Sequence, residues 1–168
     1  MLARERVELA DAALPGCRQP YHALEGLPLA QARAGLARFE AAAAAHARTA
    51  LDSLRARAAA AGGELRRAGI LDASGRSGAT LEAILASHAL IHTADGQHFR
   101  AALQGACAAR GIEVVRIAQR ALPAQAADAL RRSGAELSAA AAALGRGLGA
   151  PWGADQKAAV LLGWLLLA

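Results

Sequence analysis

Leu81–Gly111 reads LEAILASHALIHTADGQHFRAALQGACAARG. Leu81, Leu85, Phe99 and Leu103 recur at helical spacing and make one apolar stripe. At about 100° per residue, His88, His92 and Asp95 fall on that same stripe, between Leu85 and Phe99. A face expected to be apolar therefore carries two imidazoles and a carboxylate. Buried without partners, such groups cost roughly 1–3 kcal/mol or more each. Either the fold satisfies them internally or this face lines a cleft. Thr80 is placed to cap the helix at its start, and Gly96 is expected to loosen or bend it in the middle.

Outward from this helix, the apolar runs shorten. Ile112–Ala118 (IEVVRIA) is β-branched and reads as a buried strand. Glu64–Ala73 (ELRRAGILDA) reads as another strand, buried at Ala68–Leu71 and ending near Asp72. The loop SGRSGAT follows. Its Gly75 and Gly78 give it freedom to approach a phosphate, but it lacks a P-loop lysine and the dinucleotide spacing, so an ordinary strand-to-helix loop is the better reading. Leu29–Ala61 is a long helix: Leu29, Leu36, Phe39, Ala43, Ala50 and Leu54 share a stripe, Pro28 suits its start and Gly62-Gly63 its end. His46 flanks that stripe as a structural histidine. Arg4–Leu14 alternates weakly and reads as a strand, or, given its alanines, as a short helix; Pro20–Leu24 reads as a short extended piece, with Tyr21 and His22 as packing and surface groups. Beyond Leu122, helices are expected over Pro123–Arg132 and Ala135–Leu144, then a glycine-rich connector LGRGLGAPWG, then an apolar helix over Asp155–Ala168. Alternation of strands and helices without an internal repeat predicts one α/β domain over residues 1–168, with at least two parallel strands and right-handed crossovers.

Bulk composition narrows the function classes. The chain has 168 residues, 55% hydrophobic, and only 3% aromatic, which argues against a base-stacking platform. A net charge of +5 favours anionic partners, yet Lys157 is the only lysine, and such Ala- and Arg-rich usage is typical of GC-rich coding sequence. Cys17 and Cys107 stand far apart without zinc-type spacing and read as reduced thiols of a cytoplasmic protein. The first residues lack the apolar core of a signal peptide, and the apolar tail of 11 residues over Ala158–Ala168 falls short of the roughly 20 that a membrane helix needs.

Three segments carry a family resemblance: ILDASGRSGATLEA, ADGQHFRAALQGACAARGIEVVRI and APWGADQKAAVLLGWLLLA. Their layout resembles the ribonuclease H-like superfamily and, within it, the bacterial Holliday-junction resolvases. The resemblance implies a three-layer α/β domain with a reduced N-terminal part of the sheet, since only 28 residues precede Leu29. It also implies a metal-dependent phosphodiesterase acting on nucleic acid, in which carboxylates hold Mg²⁺ or Mn²⁺ against the reacting oxygens. Carried over residue by residue, Glu82, or Asp72 in a tighter register, answers the acid after the middle strand, and Asp155 the acid of the last helix. His92 or His88 would assist. A second acid of the last helix is missing, with Lys157 and Ala158 near its place.

The residues themselves allow other readings. His88 and His92 stand at i, i+4, a spacing that can hold one metal ion, and Asp95 adds a third ligand one turn on. No HExxH pattern supports metalloprotease chemistry. The alternative for the pair is structural histidines bonded within the fold. Glu82 and Asp155 alone are simply acids at helix starts, favoured by the dipole. Trp152 reads as a packing anchor, and Arg100 and Arg110 as phosphate contacts or solvated cations. Three functions follow as expectations: a resolvase-like nuclease; a non-catalytic α/β module, with nucleic acid, a protein or a second copy as partner; and a small-molecule or metal-binding protein using the His88, His92 and Asp95 face.

Overall fold

The computed structural model describes residues 4–73 and 78–168. The predicted phosphate-approach loop lies mostly outside the described residues, Gly75 included. Its Gly78 is described and adopts φ +91°. In chain order, a short 3-10 turn over His22–Leu24 precedes α1 (Leu29–Ala60), β1 (Arg67–Asp72), α2 (Leu81–Leu85), α3 (His88–Ala108), β2 (Glu113–Ala118), α4 (Leu122–Leu130), α5 (Gly134–Leu148) and α6 (Ala154–Leu167).

The expected three-layer ribonuclease H-like α/β domain is not what forms. Among the described residues, helices hold 61% and strands 7%, and the sheet has two parallel strands. Layers on both faces of a sheet require several strands, and this sequence supplies two runs rich enough in branched and apolar residues. Alanine dominates elsewhere and is the best helix former while being depleted in strands. The N-terminal strands are absent as well: residues 4–21 run through coil and turns, and the Pro20–Leu24 piece closes into the 3-10 turn. The strand pair itself matches its expected position. Glu113 N–H donates to the Arg66 carbonyl at 3.0 Å and Gln119 N–H to that of Asp72 at 2.8 Å; both links join residues 47 apart, as a parallel register demands.

Contacts among the described residues gather into two compact units, 4–68 with 78–114 and 69–73 with 115–168. In the first, α3 packs along α1. Its core joins Ala10, Cys17, Leu24, Ala32 and Phe39, with Leu14, Leu36, Leu81, Leu85 and Phe99 packed against them. Three of those, Ala10, Leu14 and Cys17, come from the N-terminal coil and turns, so apolar burial seats that irregular segment. At the end of α1, Gly62 takes φ +75° and Gly63 N–H reaches back to the Ala58 carbonyl at 2.8 Å, the left-handed stop expected of a Gly-Gly pair.

The expected single helix over residues 81–111 is two helices. Thr80 Oγ1 caps α2 by accepting from Ala83 N–H at 3.3 Å, as expected. The break falls at Ala86-Ser87, where Ser87 is extended at φ −140°, and not at Gly96, which stays helical. The break resets the helical phase. The buried face of α3 is Ile91, Ala94, Asp95 and His98, while His88 and His92 are exposed beside it.

The second unit is built of helices around Ile117, Leu122 and Leu162, flanked by Leu71, Val115, Ala158, Leu161, Leu165 and Leu166. Ser133 and Glu136 form a capping box at the start of α5, with Ser133 N–H donating to Glu136 at 2.8 Å. The expected connector LGRGLGAPWG is helical as far as Leu148, and the Trp152 ring lies against α5 at Gly145. The Trp152 indole N–H donates to the Ala141 carbonyl at 3.0 Å, so this ring anchors packing.

Candidate metal centre

Asp95 is the polar group that the first unit has to satisfy. It is only 9% exposed on the inner face of α3. One carboxylate oxygen accepts the Tyr21 backbone N–H at 2.7 Å, and the other meets His22 Nδ1 at 2.5 Å. A carboxylate only accepts, so Nδ1 carries the proton and Nε2 is the ring nitrogen of His22 left to bind something else. Asp95 thereby fixes both the backbone of the N-terminal turn and the tautomer of its histidine.

His88 and His92 stand one turn apart on α3, and their Nε2 atoms lie 3.1 Å apart. In that contact one Nε2 donates and the other accepts. The His22 ring sits against both, with centroids 5.2 Å from His88 and 4.5 Å from His92, while the His88 and His92 centroids are 4.6 Å apart. One ring nitrogen from each of the three lies within 4.8 Å of the others. Two zinc–nitrogen bonds of about 2.0–2.1 Å at a tetrahedral angle would set their nitrogens about 3.3–3.4 Å apart. The His88–His92 pair already stands near that span. His22 has to close in by a small side-chain movement at a turn.

The arrangement has a recognisable chemical form: imidazole donors toward solvent, one of them backed by a buried carboxylate through its other nitrogen. That outer partner orients the ring and raises its basicity as a ligand. With both oxygens of Asp95 engaged, its place is behind His22 rather than among the ligands. Beneath the cluster, burial pushes the His98 imidazole below its ordinary range, against the opposing effects of Glu40, Asp95 and a hydrogen bond to the Phe39 backbone. His98 Nε2 is buried and has no hydrogen-bond partner. The Tyr21 phenol is pushed up, first by burial and then by Glu40 and Asp95.

The other residues singled out in the sequence sit in different company. Glu82, in the first turn of α2, accepts from Arg33 Nη2 at 2.8 Å. Its carboxyl is held below the usual range, by backbone hydrogen bonding at its own N–H first and by Arg33 next. Asp72, at the end of β1, is gripped through both oxygens by Arg116. Asp155 is an exposed acid in the first turn of α6, in the second unit. Arg110 grips Asp52, Nε to Oδ1 and Nη2 to Oδ2. Cys17 and Cys107 are buried free thiols; the first donates to the Asp11 carbonyl at 2.8 Å, and burial pushes the second above its ordinary range. A shallow groove at the end of α1, lined by Asp52, Arg55, Ala56, Ala59, Gly63, Glu64 and Leu65, contains none of the predicted site residues.

His22 is the member of the candidate site that sequence reasoning misses. It lies 66 positions before His88, so no local spacing connects them. The available signal was an unexplained Asp95 on a buried face, which demands a donor from elsewhere in the chain. Among the described residues, no helix is long and apolar enough to cross a membrane. In comparisons with protein-family models, curated proteins and solved structures, nothing matches this chain.

Proposed function

We propose that this chain binds a transition-metal ion, zinc first among them, through His22, His88 and His92, with Asp95 orienting His22. The observation that carries the reading is the convergence of three imidazoles, one backed by a buried carboxylate. The donor chemistry selects the metal. Imidazole suits Zn²⁺, Cu²⁺ and Ni²⁺, whereas Mg²⁺ takes oxygen ligands and keeps its water. The Mg²⁺ or Mn²⁺ of the resolvase-like expectation therefore finds no matching donor set in this cluster. Two of the acids which that reading would recruit, Asp72 and Glu82, are each engaged by an arginine.

Thermal-shift measurements with Zn²⁺, Mn²⁺ and Mg²⁺ test the proposal. Zn²⁺ raises the melting temperature of the wild type, and the shift is lost in His88→Ala/His92→Ala. The same shift survives in Glu82→Ala/Asp155→Ala. A Mn²⁺ or Mg²⁺ shift that disappears in the acidic double variant instead would overturn the reading in favour of a carboxylate centre.

A further inference from the structure

Residues 4–28, which precede α1, join no ladder, and their one regular element is the 3-10 turn. Their backbone bonds are local: Leu14 N–H donates to the Asp11 carbonyl at 2.9 Å, Cys17 N–H to that of Leu14 at 3.2 Å, and Ala23 N–H to that of Gln19 at 2.9 Å. A segment built this way is held by what its side chains touch, and it belongs to the parts of a fold that open first. The core of the first unit takes Ala10, Leu14, Cys17 and Leu24 from it. Leu24 lies directly on α1, where a Cβ added to Gly35 would stand 2.5 Å from Leu24 Cδ2. Two polar links to α3 meet at Asp95, which accepts from the Tyr21 N–H and from His22 Nδ1. The exposed Glu5–Arg57 pair at 3.2 Å adds a link to α1 of the kind that contributes little. The three imidazoles therefore divide unevenly. His88 and His92 belong to α3, and His22 belongs to this segment.

We infer that the ion is the latch of this segment, so that the chain works as a metal-responsive switch. Held by all three imidazoles, the ion ties residues 4–28 onto α1 and α3. When it leaves, the segment opens more readily and bares the apolar face of Leu36, Phe39, Leu81, Leu85 and Phe99 beneath it. The inference rests on the metal reading above and adds what occupancy controls. The seated form offers three imidazoles and the open form only the α3 pair. The ion therefore favours seating by the ratio of those two affinities, and seating favours the ion by the same factor. The links at Asp95 persist without the ion, which makes the segment poised rather than lost. Opening converts loss of a metal ion into exposure of apolar surface.

Two thiols report on the two sides of the latch. Cys17 lies in the segment and Cys107 on α3, and both are buried and free. The full chain, apo and saturated with Zn²⁺, is pulsed with N-ethylmaleimide, and labelling of each cysteine is read by peptide mass spectrometry. Zn²⁺ affinity is measured in the same proteins by chelator competition. Zn²⁺ slows labelling of Cys17 at least about tenfold and that of Cys107 much less. In His22→Ala, saturated through the α3 pair, and in His88→Ala/His92→Ala, Cys17 labels as fast with Zn²⁺ as without. Hydrogen exchange at the Tyr21 amide, which donates to Asp95, slows together with Cys17 in the wild type. A protected thiol beside an unprotected amide would mean direct zinc–sulfur bonding and would refute the latch. Equal slowing of both thiols would also refute it, since the ion would then stabilise the whole unit. If Zn²⁺ binds and the Cys17 rate does not change, the latch is refuted and the metal reading stands. If the wild type binds no Zn²⁺, the reading beneath it falls first and the latch with it.

Discussion

The carboxylates at the ends of β1 and α2 and the imidazoles on α3 looked alike in the sequence, as polar groups on ordered elements. Their neighbours separate them. Asp72 faces Arg116 and Glu82 faces Arg33, so each acid already has a cation of this chain against it. His22, His88 and His92 face one another, and the carboxylate of Asp95 is bonded behind His22. A cation arriving at either acid must displace an arginine. A metal ion arriving at the histidines replaces a hydrogen bond between two imidazoles. Whether a polar residue is available for a ligand thus depends on what the fold sets opposite it.

The contrast can be broken at its strongest point first. His22→Ala removes a proposed ligand that the tertiary structure supplies, and Zn²⁺ affinity measured by chelator competition is expected to fall by about 100-fold or more. Retention of wild-type affinity would reduce the centre to the His88–His92 pair. Asp95→Asn keeps the shape but leaves His22 without its carboxylate, and loss of such an outer partner lowers metal affinity by about 10–100-fold. Circular dichroism of the apo variant separates that effect from unfolding.

A third test is the pH dependence of the apo protein. His98 is held below its ordinary range by burial, so the folded state binds the proton less readily than the unfolded chain. Its contribution to stability is therefore complete above the unfolded value of about 6.5 and is lost as pH falls below it. Urea unfolding between pH 8 and pH 5 should show this decline, and His98→Gln should flatten it. An unchanged slope in the variant would assign the acid sensitivity to other groups. The smallest effect belongs to the acidic side of the comparison. Asp72→Asn breaks a partly exposed ion pair and should cost about 0.2–1 kcal/mol in urea unfolding, with Zn²⁺ affinity untouched.

Local patterns carried part of this architecture. Periodicity and the flanking Pro28 and Gly62-Gly63 located α1, and the branched runs placed β1 and β2 within a few residues. Thr80 marked the start of α2. The layered sheet does not form because weakly alternating segments such as Arg4–Leu14 pair along no ladder. The helix break at Ser87 also escaped the pattern, since no proline or glycine marks it. Its consequence is large: the phase shift sets His88 and His92 toward solvent and turns Asp95 inward. Half of the candidate site was legible in the spacing of His88, His92 and Asp95. The other half, His22, is brought in by packing of the N-terminal turns on α1 and α3, which no local spacing encodes.

X-ray absorption at the zinc edge of the protein loaded with one equivalent of Zn²⁺ tests the central claim most directly. The account predicts three imidazole nitrogens at about 2.0–2.1 Å and one exchangeable oxygen donor, with no sulfur. An all-oxygen shell, a sulfur shell from Cys17 or Cys107, or failure to retain a stoichiometric ion would contradict it.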